Sequence, residues 1–170
     1  MNRPGDATPR VAVLTPPGRG AVATIRIEAP PGLLDATEPP LFRAVAGIPV
    51  ADMPVGRVVF GHWGREPAEE VVLCRTASEV MELHCHGGDA AVNRIVDDLQ
   101  VAAGRLVDWV ESFKGEQGEF AGELAEALSR STTLRTAAVL LEQNQVLPAT
   151  LAMLGDGRWT EAGRQDAVER

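Results

Sequence analysis

The chain is short of positive charge: 16 basic residues stand against 24 acidic ones in 170, a formal net charge of −8. Phosphate contacts need a basic surface, so autonomous binding of DNA or RNA is not expected. No G-x-x-x-x-G-K-S/T string occurs, and these residues therefore carry no phosphate-binding loop of the nucleotide-hydrolysing kind. No apolar run approaches the ~20 residues that a membrane span needs. The opening M-N-R-P-G-D-A-T-P-R lacks the apolar core of a secretion signal. The two cysteines, Cys74 and Cys85, lie in strand-like segments and are expected to stay reduced in the absence of export. These absences point to a cytoplasmic protein with no membrane partner.

What is present is ordinary globular composition, 45% hydrophobic and 24% charged. The length suits one domain with a sizeable core, or one domain plus part of a second. Val11–Leu14 is a short apolar run, ended by the rigid loop Thr15-Pro16-Pro17-Gly18-Arg19-Gly20. Ala21–Glu28 alternates as a strand, with Ala21, Ala23, Ile25 and Ile27 on one face and Val22, Thr24, Arg26 and Glu28 on the other. Pro30-Pro31-Gly32 ends it. Residues Pro39–Ala46 suit a short helix closed by Gly47, with proline in its first turn. Arg57–Trp63 and Glu70–Arg75 read as a hairpin, and Thr76–Glu79 leads tightly into a further strand.

That strand is V-M-E-L-H-C-H-G-G, Val80–Gly88. Alternation puts Met81, Leu83 and Cys85 on one face and Glu82, His84 and His86 on the other. Gly87-Gly88 breaks it, and Asp89 is expected to cap a helix with Val92, Ile95, Val96, Leu99 and Ala103 on one side. Gly104 is expected at its C′ position. Arg105–Val110 returns as a strand with Leu106 buried, closing an α+β domain near Ser112. From Gln117 the pattern is helical. Phe120, Leu124, Ala127 and Leu128 form one stripe. A second helix, capped by Thr132 or Thr133, carries Leu134, Ala137, Ala138, Leu141 and Gln145 and stops before Pro148, after which Pro148–Leu154 adds another turn or two. Gly155–Gly157 then breaks the chain ahead of a polar helix, Arg158–Arg170.

Three ionisable groups on one face of an apolar strand are costly unless something meets them. A metal site from His84, His86, Cys85 and Cys74 lacks a third ligand on one face, since Cys85 points away from the histidines. A Cys85–histidine nucleophile fails because strand neighbours face apart, which leaves a core-facing thiol. A small-molecule site fits better: the Glu82 carboxylate suits an amidine-like edge with parallel N–H donors, as in pterins and guanines. Arg26 suits a carboxylate by bidentate pairing. The alternative that needs no ligand is an Arg26–Glu82 ion pair across adjacent strands.

The stretches T-P-P-G-R-G-A-V-A-T-I-R-I (15–27) and V-M-E-L-H-C-H-G-G resemble two signatures of the N-terminal domain of the TrmE/MnmE-type tRNA-modification GTPases, T-P-P-G-x-G…I-x-I-x-R-x-S and V-E-L-x-x-H-G-G. Gly118-Glu119-Phe120 is similar to the family's P-G-E-F at the onset of helices. The resemblance implies an α+β, folate-binding-like domain of mostly antiparallel strands over residues 1–114, followed by an incomplete all-helical segment over 115–170. It implies a homodimer that binds a tetrahydrofolate derivative (5-formyl or 5,10-methylene) as one-carbon donor for the wobble uridine of certain tRNAs, alongside a flavoprotein partner of the GidA/MnmG type.

By motif position, Arg26, Glu82, His86, Gly87 and Gly88 are the implied cofactor-binding residues, with Glu82 on the pterin edge and Arg26 on a folate anion. No catalytic or metal-binding residue is implied. GTP, Mg and K belong to the family's GTPase domain, which these residues lack, so this chain is not expected to hydrolyse GTP. The sequence departs from the family in the short Thr76–Glu79 loop, where S-Y-T-G-E-D is usual. It departs again at Ser129–Leu134, which stands for N-G-K-x-D-L and has no lysine. These departures motivate an alternative reading, a non-catalytic dimerisation scaffold without folate. A stand-alone folate-dependent one-carbon enzyme is a third.

Overall fold

A computed structural model describes residues 8–155 apart from Arg19 and Ala103. The chain divides into two compact units, with the boundary between Ser112 and Phe113. The first is built on one sheet. Its strands are β1 (Arg10–Val13), β2 (Val22–Glu28), β3 (Phe42–Ala44), β4 (Val58–Trp63), β5 (Glu69–Ala77), β6 (Val80–His86) and β7 (Arg105–Leu106), in the order β3-β4-β5-β6-β2-β1-β7. All pairings are antiparallel except the short β1–β7 contact. With the helices described below, this is the α+β fold expected.

Period-2 alternation decides which face is buried. Ala23, Ile25 and Ile27 of β2, Val71 and Leu73 of β5, and Met81, Leu83 and Cys85 of β6 all enter the core. Helix α1 (Asp89–Val101) adds Ile95, Val96 and Leu99 to it. Each fully buried Ile, Leu or Met side chain contributes ~1.5–3 kcal/mol of apolar transfer. The opposite face keeps Thr24, Arg26, Glu82 and His84, all partly exposed.

Several local expectations are corrected. Residues 42–44 form β3 rather than a helix: Phe42 and Ala44 pair with Trp63 and Gly61, which buries the Phe42 ring. A short apolar run fits either state, and cross-strand burial decided it. The strand needs the bare Gly61, because a Cβ there would lie 2.6 Å from the Phe42 ring. Asp89 is not the cap of α1; Gly88 is the N-cap, with no side-chain cap bond, and Asp89 sits in the first turn, where its charge meets the positive end of the helix. Ala102 is the C-cap, so Gly104 falls at C″ rather than C′, its N–H donating to the Leu99 carbonyl at 2.8 Å. The expected strand over 105–110 shrinks to Arg105–Leu106. Leu106 is exposed, and Val107 is buried in its place.

Helix α2 (Trp109–Gln117) starts in the first unit. In the second unit, α3 (Glu119–Ser129) turns its half-buried Phe120, Leu124 and Leu128 one way, whereas Ala127 is exposed. Thr133 caps α4 (Leu134–Gly155), its hydroxyl accepting from the Thr136 N–H at 3.0 Å. The expected stop at Pro148 does not occur, since α4 runs through it. Proline deletes one backbone bond there, and in the next turn the Thr150 hydroxyl donates to the Val146 carbonyl at 3.0 Å. Leu134 and Leu141 of the expected stripe are exposed. Ala103 of the expected helical stripe, and the expected break and polar helix beyond Gly155, lie outside the described residues. Among the described residues no helix is long and apolar enough to cross a membrane.

Candidate functional site

The polar sheet face is organised in cross-strand rows. Cys74, Glu82, Arg26 and Ala12 stand opposite one another on β5, β6, β2 and β1, and Val72, His84 and Thr24 form the next row. Arg26 and Glu82 are therefore directly paired, with Arg26 Nη1 3.9 Å from Glu82 Oε1. That is an ion pair rather than a hydrogen bond. Arg26 Nε donates to Glu28 Oε1 at 3.3 Å. The ligand-free alternative read from the sequence, a cross-strand Arg26–Glu82 pair, is thus present. The arginine also lies beside a second carboxylate.

Glu28 is the residue that the sequence reading did not single out. Arg10 of β1 donates through Nε to Oε2 at 2.8 Å, and its Nη2 bonds the same oxygen. Ser112 Oγ of α2 donates to Oε1 at 2.5 Å, and Ser112 is only 1% exposed. One carboxylate thereby ties β1, β2 and α2 together. Alternation alone placed Glu28 on the face of Arg26, but its partners Arg10 and Ser112 lie 18 and 84 residues away and left no local signal. Beside it, Thr8, Arg10, Glu28, Val80 and Arg105 help to line a cleft of about 510 Å³, within the size range of small-molecule sites.

His84 Nδ1 and the Thr24 hydroxyl are 3.0 Å apart. His86 lies at the exposed end of β6 and pairs with Glu69. Gly87 is buried, and the space of its missing side chain is filled by backbone of the Thr15–Gly20 loop: a Cβ there would lie 2.6 Å from the Gly20 carbonyl carbon. Nothing lies within 4 Å of the corresponding point on Gly88. The structure thus brings Arg26 and Glu82 together and sets His86, Gly87 and Gly88 at the end of the same strand.

Cys85 faces the core. Burial, and secondarily the charge of Glu69, pushes its thiol up to about 11, which removes the nucleophilic thiolate at neutral pH. Among the described residues no group of three His, Cys, Asp or Glu could hold a metal ion.

No family model matches the chain. Individual relatives do. It is 31% identical over 148 residues to the tRNA modification GTPase MnmE of Geobacillus kaustophilus, covering 78% of this chain and 32% of that protein. The Synechococcus MnmE is 34% identical over 105 residues, covering 55% and 22% respectively. The Prochlorococcus marinus MnmE is 32% identical over 99 residues, covering 51% and 20%. The chain spans about a third or less of the length of these relatives.

Fold and site together define an α+β domain with an arginine–carboxylate cluster on one sheet face, followed by helices. The matches fall in the N-terminal region of the relatives, and the chain is a divergent relative of the N-terminal domain of the TrmE/MnmE-type tRNA-modification GTPases.

Proposed function

We propose that this chain is the folate-binding and homodimerising domain of a tRNA-modification GTPase that acts on wobble uridine. The observation that carries the proposal is the direct cross-strand pairing of Arg26 with Glu82, one from each of the two signature stretches. The donor set fits a reduced folate. Glu82 would accept the parallel N–H donors of the pterin edge, and Arg26 would meet a folate carboxylate. His86, Gly87 and Gly88 belong to the same strand end and turn. A bound tetrahydrofolate derivative, 5-formyl or 5,10-methylene, would supply the one-carbon unit. In the full assembly the domain would work with a flavoprotein of the GidA/MnmG type and with tRNA, and GTP, Mg and K would belong to a GTPase domain. The net charge of −8 supports tRNA contacts lying mainly on those other parts.

The test is calorimetric titration of the 170-residue chain with 5-formyltetrahydrofolate, beside Glu82→Ala and Arg26→Ala. The expected result is micromolar binding that each substitution weakens by about 10-fold or more, ~1.4 kcal/mol. Sedimentation of the same samples should give a dimer. One observation favours a second reading, a dimerisation scaffold without folate: Arg26 already lies between Glu28 and Glu82. A folded dimer that takes up no folate would select that reading.

A further inference from the structure

We infer that Glu28 is a positioning residue for Arg26, held in turn by Arg10 and Ser112; the inference rests on the proposed anion-binding role of Arg26 and deepens it. A mid-strand arginine has a long, rotamer-rich side chain that ordinarily snorkels towards water. Here it is 12% exposed and engaged at Nε by a carboxylate two residues along its own strand. That carboxylate is itself fixed. Arg10 takes Oε2 from the neighbouring strand, and Ser112 shares Oε1 with Arg26.

Donors from three elements therefore converge on one side chain, which leaves Glu28 little freedom. By comparison, Glu82 approaches Arg26 only to 3.9 Å, outside hydrogen-bond range. The two carboxylates have different tasks. Glu28 fixes the Nε edge of the guanidinium, and Glu82, less tightly engaged, remains able to turn towards a ligand. A guanidinium fixed at one edge is already oriented for bidentate pairing, so less ordering entropy is lost when an anion arrives.

The experiment uses the whole 170-residue chain. The Arg26 Nε–H resonance, assigned by its disappearance in Arg26→Lys, is followed by NMR in wild type, Glu28→Gln, Ser112→Ala and Ser112→Thr without any ligand. Slow exchange of that proton in wild type is expected, with faster exchange and a changed shift in Glu28→Gln, a smaller change in Ser112→Ala, and recovery in Ser112→Thr. A folded Glu28→Gln whose Arg26 signal is unchanged overturns the inference; should that variant fail to fold, an unchanged signal in Ser112→Ala does so. In parallel, 5-formyltetrahydrofolate should bind Glu28→Gln about 10-fold more weakly than wild type. Absence of folate binding by wild type would defeat the folate reading alone, and the resonance would still decide the role of Glu28.

Discussion

Gly87, at the end of β6, packs directly against the backbone of Gly20, so that the two signature stretches touch where neither has a side chain. The Gly87 N–H also donates to the Ala21 carbonyl at 3.2 Å. A methyl group at position 87 has to displace backbone rather than a flexible side chain. Gly87→Ala should therefore cost about 1–3 kcal/mol. Gly88→Ala, which meets open space, should lose no more than about 1 kcal/mol through the poorer helix cap. Urea melts of the two variants provide the comparison, and equal midpoints would show that the loop can yield.

Trp63 is fully buried, and its indole N–H donates to Asp98 Oδ2 of α1 at 3.0 Å. Asp98→Ala leaves that donor unsatisfied and should destabilise the chain by ~1–3 kcal/mol. Asp98→Asn keeps an acceptor and should lose less. Denaturation followed by tryptophan fluorescence would rank the three proteins.

The Cys85 thiol, raised from 9.0 to about 11 by burial, sets a pH window. The fold favours its neutral form, so its contribution to stability is complete below pH 9 and is lost as the pH rises towards 11. Unfolding free energy should fall across that interval in wild type and fall less in Cys85→Ala. With a disulfide reagent at pH 8, half-buried Cys74 should label in the native state, and Cys85 only on unfolding. Native labelling of Cys85 at a comparable rate would contradict the buried assignment.

Pro148 inside α4 removes a backbone donor that alanine would restore. Pro148→Ala should lower the local cost of the helix by up to about 3 kcal/mol. Far-UV circular dichroism should show increased helix at elevated temperature, and amide exchange around Asn144 should slow. No change in either would mean that the turn had already compensated for the lost bond.

Much of this protein was legible in its sequence because strand and helix periods are local properties. Alternation in Val22–Glu28 and Val80–His86 assigns a core face and a polar face to each strand, and the 3.6-residue spacing of Val92, Ile95, Val96 and Leu99 does the same for α1. That places Arg26, Glu28 and Glu82 on polar faces with no knowledge of the fold.

Alternation does not say which strands are neighbours or in what register. Only the β2–β6 pairing sets Arg26 opposite Glu82, only the β1–β2 pairing sets Arg10 opposite Glu28, and only tertiary folding brings Ser112 to the same carboxylate. The same limit explains residues 42–44, where a short apolar run fits helix or strand until Trp63 and Gly61 supply a partner. It explains Pro148 too, because the cost of an interior proline, about 3 kcal/mol or more, is set against the rest of the helix, and α4 continues through it. The sequence by itself determined the faces; tertiary structure decided the meetings, since hydrogen bonds and ion pairs across 18 to 84 residues depend on chain closure rather than on any local preference.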